Sequence, residues 1–229
     1  MAALSHELRI LSLNEVASFD QNGFLVLHDL FTPDEMEQWK AEARNEVEQR
    51  VNASGVFVWM CEAIPPFFAQ AVADERLVSV LRQLIGPNIE FLSAKPVLKS
   101  GKITFASPWH QDYAYWGGAT KYSVWIALDD ATPDNGCLKV IPGSHRMNHT
   151  HAFVESENGF GNRILENALD GCVVVTVPLN KGGAIFFHDR LIHSSHPNAT
   201  GQDRWAFIPT YRDASIPDES TVWKASRVL

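Results

Sequence analysis

Nine histidines are spread over this chain of 229 residues, and one stands two positions before an aspartate in Trp109-His110-Gln111-Asp112. In an extended segment, positions i and i+2 share a face. His110 and Asp112 then offer an imidazole nitrogen and a carboxylate oxygen to one ion. Two ligands leave a metal under-coordinated. Two histidines and one carboxylate on one face of an octahedron suit non-haem iron(II), with three positions left for co-substrate and O2. The third ligand must come from another strand. His193 is the candidate, within Phe186-Phe187-His188-Asp189-Arg190-Leu191-Ile192-His193-Ser194-Ser195. His188 is the rival, and an unbroken strand turns it to the opposite face from His193. A His-x-Asp pair alone is equally what a histidine satisfied by a carboxylate on a turn looks like.

Arg204 follows His193 after a turn at Asn198-Ala199-Thr200-Gly201. A two-strand hairpin brings it back beside the histidine. A guanidinium grips a carboxylate through two parallel hydrogen bonds, so Arg204 there clamps an acidic co-substrate. Ser195 adds a hydrogen bond. The alternative for Arg204 is an ion-pairing surface arginine. His145, His149 and His151 cluster at the start of a polar stretch and His196 sits in a turn; all four read as solvated. Gly-rich nucleotide loops, G-x-S-x-G and H-E-x-x-H are absent.

The elements that must position these groups are legible in outline. Residues 23–28 read as a buried strand. Thr32-Pro33-Asp34-Glu35 is a capping box, and Met36, Trp39, Ala43 and Val47 recur at helical spacing over about 33–50. A second helix spans 73–85, ended by Gly86-Pro87. From residue 89 the texture becomes β-rich: 89–98, 122–128, 137–141, 172–178, 183–187 and 204–211, separated by Gly, Pro, Asn and Asp. Strands with turn signals and few helices predict a sandwich or jelly roll. One domain over 1–229 is expected, with a helical flank at 1–88, a β core at 89–212 and a C-terminal tail at 213–229. Segment 146–170 fits neither pattern, and its length suits a binding loop, a lid or a surface excursion. Phe57, Trp59 and Met60 read as core.

The net charge of -8 argues against a nucleic-acid partner, which needs a basic face. Cys61, Cys137 and Cys172 are far apart, so neither a disulfide framework nor a thiolate zinc site is expected. No apolar signal or spanning run is present, so no membrane is expected and the cytoplasm is the default. The sequons at Asn52, Asn148 and Asn198 read as chance matches. A monomer or homodimer is expected.

Four segments together resemble the phytanoyl-CoA dioxygenase family of iron(II)- and 2-oxoglutarate-dependent oxygenases, which includes ectoine hydroxylase. They are Pro108–Trp116, Val124–Asp130, Asn135–His145 and Gly182–Asn198 with Arg204, and the likeness covers about residues 15–212. The resemblance implies a double-stranded β-helix, mostly β and cupin-like, with flanking N-terminal helices. It implies Fe(II) on His110, Asp112 and His193, and 2-oxoglutarate on Arg204, Ser195 and Trp125, with Lys99 assisting. Trp116 and Tyr113 are the candidate substrate contacts. With Asp112 present, the resemblance implies hydroxylation rather than halogenation of a small-molecule substrate, with release of succinate and CO2. Desaturation, epoxidation and cyclisation use the same residues. Two further readings stay open, a cupin-type metalloenzyme without 2-oxoglutarate and a catalytically idle binding protein.

Overall fold

The computed structural model describes residues 8–48, 55–102, 105–147, 149–155 and 160–229. Four helices come early: α1 (Leu13–Asn22), α2 (Pro33–Glu48), α3 (Pro66–Ala71) and α4 (Glu75–Ile85). Strand β1 (Phe24–Leu27) lies between α1 and α2, and the short strands β2 (Gly55–Val56) and β3 (Trp59–Met60) precede α3. Then follow β4 (Ile89–Lys99), the one-turn α5 (Tyr113–Trp116), β5 (Tyr122–Ala127) and β6 (Leu138–Val140). The rest is β7 (Ala152–Phe153), β8 (Asn162–Arg163), β9 (Val175–Val177), β10 (Ala184–His188), β11 (His193–Ser195), β12 (Arg204–Asp213) and β13 (Arg227–Val228).

Sequence dictates the helix starts. Thr32 accepts from the Glu35 amide at 3.3 Å while Glu35 accepts from the Thr32 amide at 2.8 Å, so both orphan donors are satisfied. The expected helix at 33–50 is present to Glu48; residues 49 and 50 lie outside the described part. Helix α1 was not expected. Ser12 and Glu15 form a second capping box there, a signal that its polar composition hides.

The large sheet has the order β1-β10-β5-β12-β4-β13, with β2 and β3 also on β4. The small sheet is β11-β6-β9. Strand β1 shows that the flank at 1–88 is not purely helical: it pairs with β10 along its whole length. Period-two alternation splits the large sheet's residues between two cores. Val124, Ile126, Phe186 and Phe207 pack under the helices with Trp39, Phe68 and Leu77. Trp125, Ala127, Ile185, Phe187 and Ala206 face the small sheet with Leu138 and Val140. With both faces covered, the strands read as continuous apolar runs. Trp39 meets Phe207 edge-on at 5.7 Å, and Phe207 meets Phe68 at 4.7 Å. Each such buried ring contributes about 2 kcal/mol through apolar burial, which fixes the helical layer against the sheet. Trp59 is in this core, as expected, with Phe57 packed on its edge.

The two sheets face one another as a double-stranded β-helix, and the space between them is the cavity described below. The C-terminal tail closes one side. Asp218 pairs with the fully buried Lys121 at 2.9 Å, Trp223 packs on Trp116 at 5.4 Å, and β13 pairs with β4.

Candidate metal centre and co-substrate pocket

The two ligand segments meet through one antiparallel bridge. The His110 amide donates to the His193 carbonyl and the His193 amide to the His110 carbonyl, both at 3.0 Å. The expected strand alternation at His110 and Asp112 is not what delivers the carboxylate. Asp112 has helical backbone (φ -59°, ψ -31°) at the entry to α5, so the chain turns between the two ligands and swings the carboxylate back. Asp112 Oδ1 ends 3.5 Å from His110 Nε2 and 3.9 Å from His193 Nε2. Among the described residues, this trio is the cluster whose ligand atoms all lie within 4.8 Å of one another.

The ring tautomers are preset. His110 Nδ1 is 2.9 Å from the Pro108 carbonyl, and His193 Nδ1 is 2.9 Å from the Leu191 carbonyl. A carbonyl only accepts, so each ring keeps its proton on Nδ1 and presents the Nε2 lone pair. Burial, with His110 alongside, lowers His193 to about 4, so it is neutral and ligand-competent at neutral pH. Burial opposes the ionisation of Asp112, but the nearby Lys95 and the two histidines outweigh it and hold the carboxyl well below its usual range. Neutral imidazoles with one carboxylate fit iron(II).

Arg204 starts β12 directly opposite Lys99 on β4. It is buried, and burial lowers it only to about 10, so it stays charged. Nη2 donates to the Gly136 carbonyl at 3.1 Å and Nε to the Asn135 carbonyl at 3.4 Å. Its Nη1 is buried without a partner. The guanidinium lies 5.2 Å from the Trp125 ring centroid. Gly136 is required here: its φ is +102°, and a Cβ would meet Lys99 Cδ at 2.4 Å. An orphaned guanidinium nitrogen in the cavity that holds the trio fits a carboxylate of 2-oxoglutarate.

One cavity is lined by His110, Asp112, His193, Arg204, Ser195, Trp125 and Lys99 together. Ser195 Oγ accepts from the Ser107 amide at 3.0 Å and shares a hydrogen bond with Ser107 Oγ at 2.7 Å. Lys99 Nζ donates to the Phe105 and His196 carbonyls at 2.7 and 2.6 Å; burial and Arg204 lower it to about 7. Its ammonium thus braces two loops at the pocket's edge.

The two candidate substrate contacts, Tyr113 and Trp116, are not among the residues that line the cavity. Tyr113 lies under the Arg190 guanidinium at 4.2 Å, away from the cavity lining. Trp116 stands behind Lys95, whose Nζ is 4.8 Å from its ring centroid. His188 accepts from the Arg190 amide and packs on Tyr122 and His145, so it is no ligand. His151 is not a solvated residue: its Nε2 accepts from the Gln111 amide at 3.1 Å. Gln111 gains a role that the sequence did not disclose. Its side chain donates to the Met147 and Arg190 carbonyls and accepts from the His149 amide. Segment 146–170, of which 148 and 156–159 lie outside the described residues, forms the β7–β8 hairpin. It sends Phe160 into the cavity wall, with its ring 5.1 Å from that of His110. Lys95 and Phe160 were missed. The signal for Lys95 was Lys95-x-Val97-x-Lys99, three residues on one face of a strand.

Of the sequons, Asn52 and Asn148 lie outside the described residues, and Asn198 is buried with its amide on the Lys99 and Gln202 carbonyls. The three cysteines are free. No helix among the described residues is long and apolar enough to cross a membrane.

A jelly roll enclosing two histidines, one aspartate and a buried arginine defines a non-haem iron, 2-oxoglutarate-dependent oxygenase. The profile of the phytanoyl-CoA dioxygenase (PhyH) family matches residues 19–206, and the chain belongs to that family. It is 28% identical to L-proline trans-4-hydroxylase of Streptomyces griseoviridis over 87% of this chain and 85% of that one. It is 26% identical to the peroxisomal phytanoyl-CoA dioxygenase of Mus musculus, over 83% of this chain but only 65% of the mouse protein. The fold matches the crystal structure of EctD from S. alaskensis with 2-oxoglutarate and 5-hydroxyectoine. That match has a TM-score of 0.74 and 26% identity, over 91% of this chain and 78% of that one.

Proposed function

We propose that this chain hydroxylates an unactivated C–H bond of a small organic metabolite, a natural-product intermediate, while 2-oxoglutarate and O2 become succinate and CO2. One oxygen atom enters the new hydroxyl and the other enters succinate. The observation that carries this reading is the unpartnered Nη1 of Arg204 in the same cavity as the His110, Asp112 and His193 ligand atoms. Iron, when bound, supplies the redox chemistry, and the protein supplies position and shielding.

His110, Asp112 and His193 would hold the metal through two Nε2 atoms and one carboxylate. Arg204 binds the far carboxylate of 2-oxoglutarate, with Trp125 against its guanidinium. Ser195, fixed by Ser107, adds a hydrogen bond, and Lys99 supports the pocket from its carbonyl brackets. Val97, Phe160 and Ile208 keep the remaining wall apolar, which excludes water from the reacting C–H bond. We read residues 1–229 as one catalytic domain that works in the cytoplasm as a monomer or homodimer on a free small molecule. The net charge of -8 supports the absence of a nucleic-acid partner.

The test needs no substrate. Anaerobic protein with Fe(II) and 2-oxoglutarate should show the weak visible absorption of the metal chelate, and His193→Ala and Asp112→Ala should not. Bound iron without that band would point to cupin-type chemistry. No iron binding would leave an idle binding protein.

A further inference from the structure

We infer that the primary substrate carries a carboxylate and that Lys95 receives it, at the opposite end of the cavity floor from Arg204. The inference rests on the oxygenase reading above and specifies its substrate class.

Strand β4 presents Lys95, Val97 and Lys99 to the cavity. Lys99 is paired with Arg204 in the β-ladder, and Lys95 with Ile208. Four residues of strand separate the two ends, about 13 Å at ~3.3 Å per residue. Of the three cationic side chains that line the cavity, two are committed. Lys99 gives its ammonium to two backbone carbonyls, and the free edge of Arg204 faces the co-substrate pocket. Lys95 has neither a hydrogen bond nor an ion pair with any described residue. It stands over the face of Trp116 at 4.8 Å; burial works against its charge, and the nearby Asp112 works for it.

An ammonium that is half-buried, within an apolar wall and without a partner is costly unless a ligand supplies the counter-charge. The site is built to hold it there. Trp116 backs the ammonium, Ser220 Oγ donates to the Trp116 carbonyl at 2.7 Å, and Trp223 packs on the Trp116 ring. Charge points the same way. Fe(II) is balanced by Asp112 together with one carboxylate of 2-oxoglutarate, and Arg204 balances the other. Lys95 and Lys99 are then left over, and of the two only Lys95 has no acceptor, since Lys99 is bracketed by two carbonyls. A single ammonium among Val56, Val97 and Ile208 suits one carboxylate on a carbon skeleton. A phosphate dianion calls for more than one cation.

The competing role for Lys95 is only to keep Asp112 ionised as a metal ligand, and the full-length protein can separate the two. Lys95→Met and Lys95→Arg are loaded with Fe(II) and 2-oxoglutarate. The anaerobic chelate band is recorded first. Succinate release in air is then measured with a library of small metabolites sorted into monocarboxylates and amino acids, phosphate esters, and uncharged compounds. The band should persist in both variants, because a metal bound between the two histidines would itself hold Asp112 ionised once the Lys95 charge is gone. Monocarboxylates or amino acids should stimulate the parent and Lys95→Arg, and the stimulation should fall at least tenfold in Lys95→Met. Loss of the band in Lys95→Met alone, stimulation confined to phosphate esters or uncharged compounds, equal stimulation of Lys95→Met, or no stimulation by any class would overturn the inference. A missing band in the parent protein strikes instead at the oxygenase reading itself.

Discussion

Replacing Arg204 by Met keeps most of the side-chain volume and removes the charge and the fork. In the parent, Nη1 is free to make a new bond, while Nη2 already donates to the Gly136 carbonyl. One full charge-assisted hydrogen bond and a shared second one are therefore at stake, about 3 kcal/mol. That corresponds to roughly a hundredfold weaker binding of 2-oxoglutarate. Arg204→Lys restores the charge without the planar fork, so its affinity should lie between the two. The assay is anaerobic titration of the iron-loaded protein with 2-oxoglutarate, read by the chelate band. Fe(II) affinity is measured in parallel and should not change, because Arg204 contacts none of the three metal ligands. Arg204→Met also strips the Asn135 and Gly136 carbonyls of their donor. A stability loss of about 1–3 kcal/mol is therefore expected, and titrations belong well below the melting temperature. A 2-oxoglutarate affinity within threefold of the parent would refute the clamp.

Two further outcomes follow from the same geometry. Metal-free protein should lose stability as pH falls from 6.5 towards 4: the unfolded chain takes up a proton at His193 in that window, and the folded chain, with His193 at about 4, does not. The loss is roughly 3 kcal/mol, visible in urea midpoints, and His193→Asn should flatten the slope; an unchanged slope in that variant rules out the assignment. Gln111→Ala should destabilise by about 2–3 kcal/mol, since it unpairs the Met147 and Arg190 carbonyls and the His149 amide. Hydrogen exchange at His149 should accelerate, and Gln111→Glu should do no better, because it sets a carboxylate against two carbonyls.

The legible part of the molecule was its local part. Capping chemistry placed α2, and β-branched and aromatic runs placed β1, β4, β5, β6, β9, β10 and β12, but not the two- and three-residue strands β2, β3, β11 and β13. The ligand trio was legible because the types and order of His110, Asp112 and His193 carry the chemistry. The route by which Asp112 arrives was not. Strand alternation was the simplest way to align two ligands, but the tertiary bridge to His193 ends the extended segment at His110 and lets α5 begin at once. Lys95 was hidden for a different reason. A lysine on a strand is ordinarily a solvated edge residue, and only the pairing of β4 with β12 on one edge and with β2 and β3 on the other, remote in sequence, sets its Lys95, Val97 and Lys99 face into the cavity. Sheet order, which sets Arg204 opposite Lys99, depends on partners remote in sequence.

The reciprocal main-chain bonds between His110 and His193 carry a consequence for how such a molecule can change over time. Peptide groups pair in the same way whatever side chains they bear, so the spacing of the ligand positions does not depend on their being ligands. The frame and the reactivity are separable inheritances. A substitution at one of these positions alters what the centre can do while the barrel, the carboxylate clamp and the cavity keep their shape. New chemistry can then arise in single steps from a protein that still folds, with no rebuilding of the scaffold in between.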